Sequence, residues 1–142
     1  MNDIRSMEFR RHHPFLGREF DWIATDYIGH IGYFSTAGVA PVPDTCLSNG
    51  IRYDGLFENV TALPVVSQVS VIDESDRDIA DWIAVAKRGL YAYDWSRRTS
   101  RYCIVAYPDQ PANVDSLPEE LRTLAIAVKF PNGFAGTNDI AV

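Results

Sequence analysis

An aromatic, β-branched stretch at residues 20–35, FDWIATDYIGHIGYFS, is the feature that most constrains what this chain can fold into. Residues 20–26 carry the bulky and branched side chains that suit a pleated strand. Side chains alternate along a strand, so Phe20, Trp22 and Ala24 share one face and Asp21, Ile23 and Thr25 the other. Residues 30–35 make the return strand. Asp26-Tyr27-Ile28-Gly29 is the turn between them, with Gly29 supplying a positive φ. Gly32, inside the second strand, predicts a bulge or a large ring packed across it. The hairpin therefore anchors a sheet, with Phe20 and Trp22 directed into a core.

The segment after the hairpin leaves the sheet. Its small residues, Gly38 and the alternating Pro41 and Pro43 cannot continue a central strand. Asp44 or Thr45 is placed to cap a short helix that Asn49-Gly50 ends, and the spacing of Leu56, Val60 and Leu63 suggests a second helical piece over 53–63. Residues 64–72 read as a short strand or an extended linker. The strongest helix signal follows. Ser75 is placed as N-cap with Asp78 three residues later. Ile79, Trp82, Ile83 and Ala86 form one stripe, and Gly89 stops the helix. Residues 89–95 and 101–107 form a second hairpin. Ser116 and Pro118 open a helical turn over 117–122. Residues 124–130, LAIAVKF, return to strand character, and the tail after Phe134 adds an edge strand. The expected fold is α+β: an antiparallel sheet of about five or six strands with one main helix packed on a face.

A chain of 142 residues suits one domain, residues 1–142, with a basic N-terminal arm over 1–18. The arm is expected to be loosely held, with a short strand or turn near residues 7–9. Four arginines (5, 10, 11 and 18) face Asp3 and Glu8 there, so the arm carries +2 of a net charge of −6 and the remainder −8. An acidic body argues against a nucleic-acid partner, because phosphate contacts need clustered Lys and Arg. It suits a basic protein partner, or solubility alone. Cys46 and Cys103 stand far apart, which suggests neither a disulfide framework nor a zinc site. The N-terminus lacks the apolar core of a signal peptide, and no apolar run reaches membrane-spanning length. The expected location is the cytoplasm of a bacterium.

No catalytic, metal or cofactor signature emerges. His12 and His13 have no second cluster of ligands and read as solvated histidines. Ser35 follows a strand, but not within G-x-S-x-G. His30 and Asp26 complete a Ser–His–Asp trio on paper only, since His30 and Ser35 differ by an odd number along the strand. Cys46 lacks an electropositive setting, and Cys103 reads as core. The run Asp73-Glu74-Ser75-Asp76-Arg77-Asp78 lacks the glycine and terminal glutamate of a calcium loop. Arg97, Arg98 and Arg101, flanked by Trp95 and Tyr102, form the one basic cluster of the body, at a hairpin tip.

The pattern Phe20-Asp21-Trp22-Ile23-Ala24-x-Asp26-x-x-Gly29-x-Ile31-Gly32-x-Phe34-Ser35-Thr36-Ala37-Gly38, followed by Pro41 and Pro43, resembles a group of small bacterial proteins. Some of these are similar to immunity proteins of polymorphic toxin systems. Gly89-Leu90-Tyr91-Ala92-Tyr93-Asp94 and Leu117-Pro118-Glu119-Glu120-Leu121-Arg122 extend the resemblance. It implies a protein partner, a toxin, and brings no catalytic residues with it. The expected function is a non-enzymatic protein-binding domain. Its partner-binding candidates are Ser35, Thr36, Gly38, Pro41 and Pro43 in the loop, and Arg97, Arg98 and Arg101 at the tip. The alternatives are a small hydrolase-like enzyme using the first hairpin and the loop after it, or an assembly subunit. Homo-oligomerisation stays open.

Overall fold

The computed structural model describes residues 8–48, 50–73 and 75–141. Met7, Asn49 and Glu74, which the sequence reading used in a turn, a helix stop and an acidic run, lie outside them.

The core is a six-stranded mixed sheet. The first hairpin forms as its composition demands: β2 (Asp21–Thr25) pairs antiparallel with β3 (Ile31–Ser35), from Asp21↔Ser35 to Thr25↔Ile31. Gly29 has φ +99° in the turn. Gly32 sits in regular register without a bulge; a Cβ there would stand 2.8–2.9 Å from the rings of Phe34 and Phe134, so the glycine admits a ring. The second hairpin, β6 (Tyr91–Ser96) with β7 (Arg101–Pro108), also forms, with a register shift between Ala92 and Tyr93.

The sheet is not wholly antiparallel, because β3 pairs with β6 in parallel. Parallel neighbours need a long crossover. Residues 36–90 supply it through β4 (Val42–Pro43), α1 (Asp44–Ser48), a 3-10 turn at Gly50–Tyr53, α2 (Leu56–Thr61), β5 (Val69–Val71) and α3 (Ala80–Lys87). The strand order is β2-β3-β6-β7-β5, with β8 (Asp139–Ala141) also on β7. A separate small sheet joins β1 (Phe9–Arg10) to β4, which ties the arm to the loop. From residue 8 onward the arm is therefore packed rather than loose. Phe15 stacks on Phe20 at 4.3 Å. His13 is half-buried, with Nε2 3.0 Å from the Ala40 carbonyl, rather than solvated.

One helix does not dominate. Both α3 and α4 (Glu119–Ile126) are eight residues long. Helix α3 packs on β6 and β7, and α4 on β2. Helix α4 replaces the strand expected over 124–130. Leu121, Leu124 and Ala125 are buried at i, i+3, i+4 spacing, a helical period that a short apolar run conceals. Only Lys129 keeps strand character there, in a parallel bridge to Thr25. Pro118, not Ser116, occupies the N-cap of α4.

The expected capping box of α3 also gives way. The Ser75 amide donates to Asp73 (2.8 Å), and Arg77 reaches Asp73 and Asp94. These contacts hold residues 75–77 in a bend, and the helix begins at Ala80, whose N–H donates to Asp78 Oδ1 at 2.9 Å. Gly89 ends α3 at φ +94°, as expected.

The sheet's two faces differ. One is aromatic: Trp22 stacks on Phe34 (4.1 Å) and Phe34 on Tyr93 (5.0 Å), and Phe130 and Phe134 close over them. Trp22 Nε1 donates to the Tyr102 hydroxyl, which donates to the Pro41 carbonyl at 2.7 Å. These bonds let two amphipathic rings be buried without leaving a polar atom stranded. Asp26 is buried, yet fully engaged. Its Oδ1 accepts the amides of Ile28, Gly29 and His30, and its Oδ2 accepts the Phe134 amide at 2.9 Å. The turn and the C-terminal segment thus share one carboxylate. The other face of the sheet packs α2, α3 and α4, and it holds the cleft described next.

Candidate functional site: an acidic cleft

Registers β2–β3 and β3–β6 set Asp21, Ser35 and Asp94 in one row across three strands. All three lie on the face that the helices cover. Where the helices stop short of that row, a cleft of about 480 Å³ remains. The strands supply its floor, Phe57 and Glu58 of α2 one wall, and Asp81, Trp82 and Val85 of α3 the other. Glu19 completes a lining with five carboxylates and no lysine or arginine.

Asp21 is the most perturbed of the five. Burial raises its carboxyl from 3.8 to about 6; the hydrogen bond from the Tyr33 hydroxyl opposes the rise, and Glu19, Asp94 and Asp81 add to it. Burial beside Asp21 also raises the Tyr33 hydroxyl, which keeps it a donor. Burial raises Asp94 too, against the pull of Arg77. Arg77 Nη1 lies 2.7 Å from Asp94 Oδ2, and its guanidinium sits 4.9 Å over the Trp82 ring. The chain's own arginine thus shows what the cleft rim favours: a planar cation between a carboxylate and an indole face. Hydrogen bonds from Ser75 and Arg77 hold the Asp73 carboxyl below its usual range.

Of the residues expected to bind a partner, the cleft gathers Ser35 alone. Ala37 also lines it, without having been singled out. Thr36, Pro41 and Pro43 are buried. Thr36 Oγ1 accepts the Gly38 amide at 3.3 Å, and Gly38 is half-buried at φ +78°. Arg97, Arg98 and Arg101 are exposed at the second hairpin's tip. Arg98 lines a separate depression, which shares Asp94 with the cleft, and Arg101 pairs with Asp139 at 3.3 Å.

The paper trio does not assemble. His30 precedes β3 and Ser35 ends it, about 16 Å away at the rise of a strand. His30 Nδ1 lies 3.8 Å from Asp26 Oδ2, beyond hydrogen-bond reach. Cys46 is buried beside Tyr53, and burial pushes its thiol up to about 12, far from a thiolate at neutral pH. Cys103 is half-buried rather than core. Among the described residues, no three His, Cys, Asp or Glu side chains converge closely enough to hold a metal ion. No helix among them is long and apolar enough to cross a membrane.

Sequence reasoning missed Glu19, Asp21, Glu58, Asp81, Trp82 and Asp94 as one group. A signal was present: Asp21 shares its strand face with Ile23 and Thr25, both buried, and Asp94 sits between Tyr93 and Trp95. A charge on the inward side of a strand pattern asks for a partner or a ligand.

No protein-family model matches this chain, and neither does any curated protein or solved structure.

Proposed function

We propose that this protein is a non-enzymatic binding domain that takes a basic segment of a protein partner into the acidic cleft. One observation carries the reading: five carboxylates line one cleft, and one of them, Asp21, stays there although burial opposes its charge. Groups held against their own solvation cluster at functional sites. The aromatic wall suits an arginine or lysine side chain, as Arg77 demonstrates within the chain. The resemblance to immunity proteins makes a toxin from the same cell the first partner to test, with the cleft covering a basic part of its active surface.

The test has two arms. The first is co-purification from the native host and co-expression with a neighbouring toxin, using the wild type and an Asp21→Asn, Glu58→Gln, Asp81→Asn triple variant. The expected result is capture and protection by the wild type and loss of both in the variant. Capture unaffected by the triple variant would move the interface elsewhere. The second is calorimetric titration with an arginine-rich peptide, whose affinity is expected to fall as salt screens the cleft. Equal affinity at low and high salt counts against it.

A second reading has its own observation. A carboxyl raised to about 6, beside a hydroxyl donor, is poised for proton transfer near neutral pH. Asp21, Tyr33 and Ser35 belong to the hairpin that the hydrolase-like alternative uses. Turnover of an ester or glycoside panel, lost in Asp21→Asn, would favour that reading; no turnover by the wild type removes it.

A further inference from the structure

Strand β5 lies at the sheet's edge, in antiparallel register with β7 at Val69↔Pro108, Ser70↔Tyr107 and Val71↔Ala106. Just beyond the strand, the Ile72 amide donates to the Val105 carbonyl and the Asp109 amide to the Gln68 carbonyl, both at 2.9 Å. Hydrogen-bonded and non-hydrogen-bonded pairs alternate in such a ladder. Residues 68, 70 and 72 therefore direct their backbone groups to β7. The N–H and C=O groups of Val69 and Val71 point the other way, where no strand lies among the described residues. Strand β8 runs along the same side of β7, but at Arg101, Tyr102 and Cys103, and leaves the outer side of β5 open.

Edge strands of monomers are usually blunted by shortness, charge, proline or a bulge, and of these β5 shows only shortness, at three residues. Residues 65–72, VVSQVSVI, contain neither lysine nor proline and carry no charge at all. Val65, Val66, Val71 and Ile72 are exposed along the run.

We infer that β5 pairs with the β5 of a second copy about a two-fold axis through Ser70. In that register Val69 faces Val71 of the other copy, and Val71 faces its Val69. Each of these is a hydrogen-bonded pair, so all the outward groups of both strands are satisfied by four bonds. Charge favours this occupant. Two copies of a chain carrying −6 repel wherever acidic surfaces meet, and the paired residues of this strip carry no charge themselves, the Asp109 carboxylate that accepts from Ser70 Oγ at 2.6 Å standing just past the end of the strand behind. A basic partner of the kind the cleft suits finds five carboxylates there and none on residues 65–72. The contact is shorter than the interfaces of permanent dimers, so association is expected to depend on concentration. The inference is independent of the cleft.

Sedimentation velocity over the low-micromolar to near-millimolar range tests it. The wild type is expected to move from 15.9 kDa toward twice that mass. Val71→Pro removes only an outward N–H, since Ser70 and Ile72 keep the bonds to β7. A two-fold pair loses two hydrogen bonds at once, so association is expected to weaken about thirty-fold with an unchanged melting curve. Val71→Lys, which places two like charges on the diagonal across the axis, about 7–8 Å apart, is expected to give the same loss and covers the case in which the proline variant fails to fold. A wild type that stays monomeric throughout, or two folded variants that associate as the wild type does, overturns the inference.

Discussion

Replacing Asp21 with asparagine is expected to make the protein more stable at neutral pH while weakening the cleft. The carboxyl titrates at 3.8 when free and at about 6 in the fold. A rise of that size costs the ionised form about 3 kcal/mol. The folded state thus holds the proton more tightly than the unfolded state, and stability falls as pH climbs from about 4 to about 6, then levels off. Below about pH 4 the group is neutral in both states and the penalty is absent. Asparagine keeps an acceptor for the Tyr33 hydroxyl and never ionises. The cleft is partly open to water, so the expected gain at pH 7.5 is about 1–3 kcal/mol, which raises the melting temperature by roughly 2–4 °C per kcal/mol in a chain of this size. Urea unfolding of both proteins at about pH 3.5, 5 and 7.5 measures it, because their difference cancels every other titrating group. The expected difference is near zero at the lowest pH and largest at the highest. Equal stability at pH 7.5, or a less stable variant, would refute the reasoning that Asp21 is ionised against its surroundings.

Asp26→Ala has the opposite effect: it strands the amides of Ile28, His30 and Phe134, leaves Gly29 only its bond to the Asp26 carbonyl, and is expected to cost about 3–5 kcal/mol in urea unfolding. Asp26→Asn keeps the three turn bonds and loses the one to Phe134, at about half that cost. Gly32→Ala presses a methyl against the Phe34 and Phe134 rings and is expected to destabilise by about 1–3 kcal/mol in a thermal melt. Arg77→Ala frees Asp94 and uncovers Trp82, so an arginine-rich peptide is expected to bind it several-fold tighter at low salt; unchanged or weaker binding would detach the rim from the cleft.

Both hairpins were legible because their turn residues and alternating aromatic strands agree. The end of α3 was legible because Gly89 alone satisfies a left-handed stop. Its start was not, because Arg77 is drawn not only to Asp73 beside it but to Asp94, on a strand seventeen residues away. The parallel pairing of β3 with β6 lies beyond local patterns, which report strands but not their neighbours. Residues 124–130 show the limit of periodicity: seven apolar-rich residues fit either a strand or a buried helix end. The cleft was illegible for the same reason as the parallel pair. Its carboxylates come from separate places along the chain, and only the registers around β3 put Asp21 beside Ser35 and Ser35 beside Asp94.

The carboxylate shared between the first turn and the C-terminal segment has a consequence for the order in which the protein is made. Asp26 and Phe134 are 108 residues apart. The first hairpin emerges during synthesis long before Phe130 and Phe134, which cover its aromatic face. Until then Trp22 and Phe34 have no lid, and β3 waits for β6 across the crossover. Contacts this distant along the chain slow folding and prolong the exposure of sticky surface. A chain stalled or cut before residue 134 would carry its most aromatic element uncovered, and the cell's chaperones and proteases would meet that surface first.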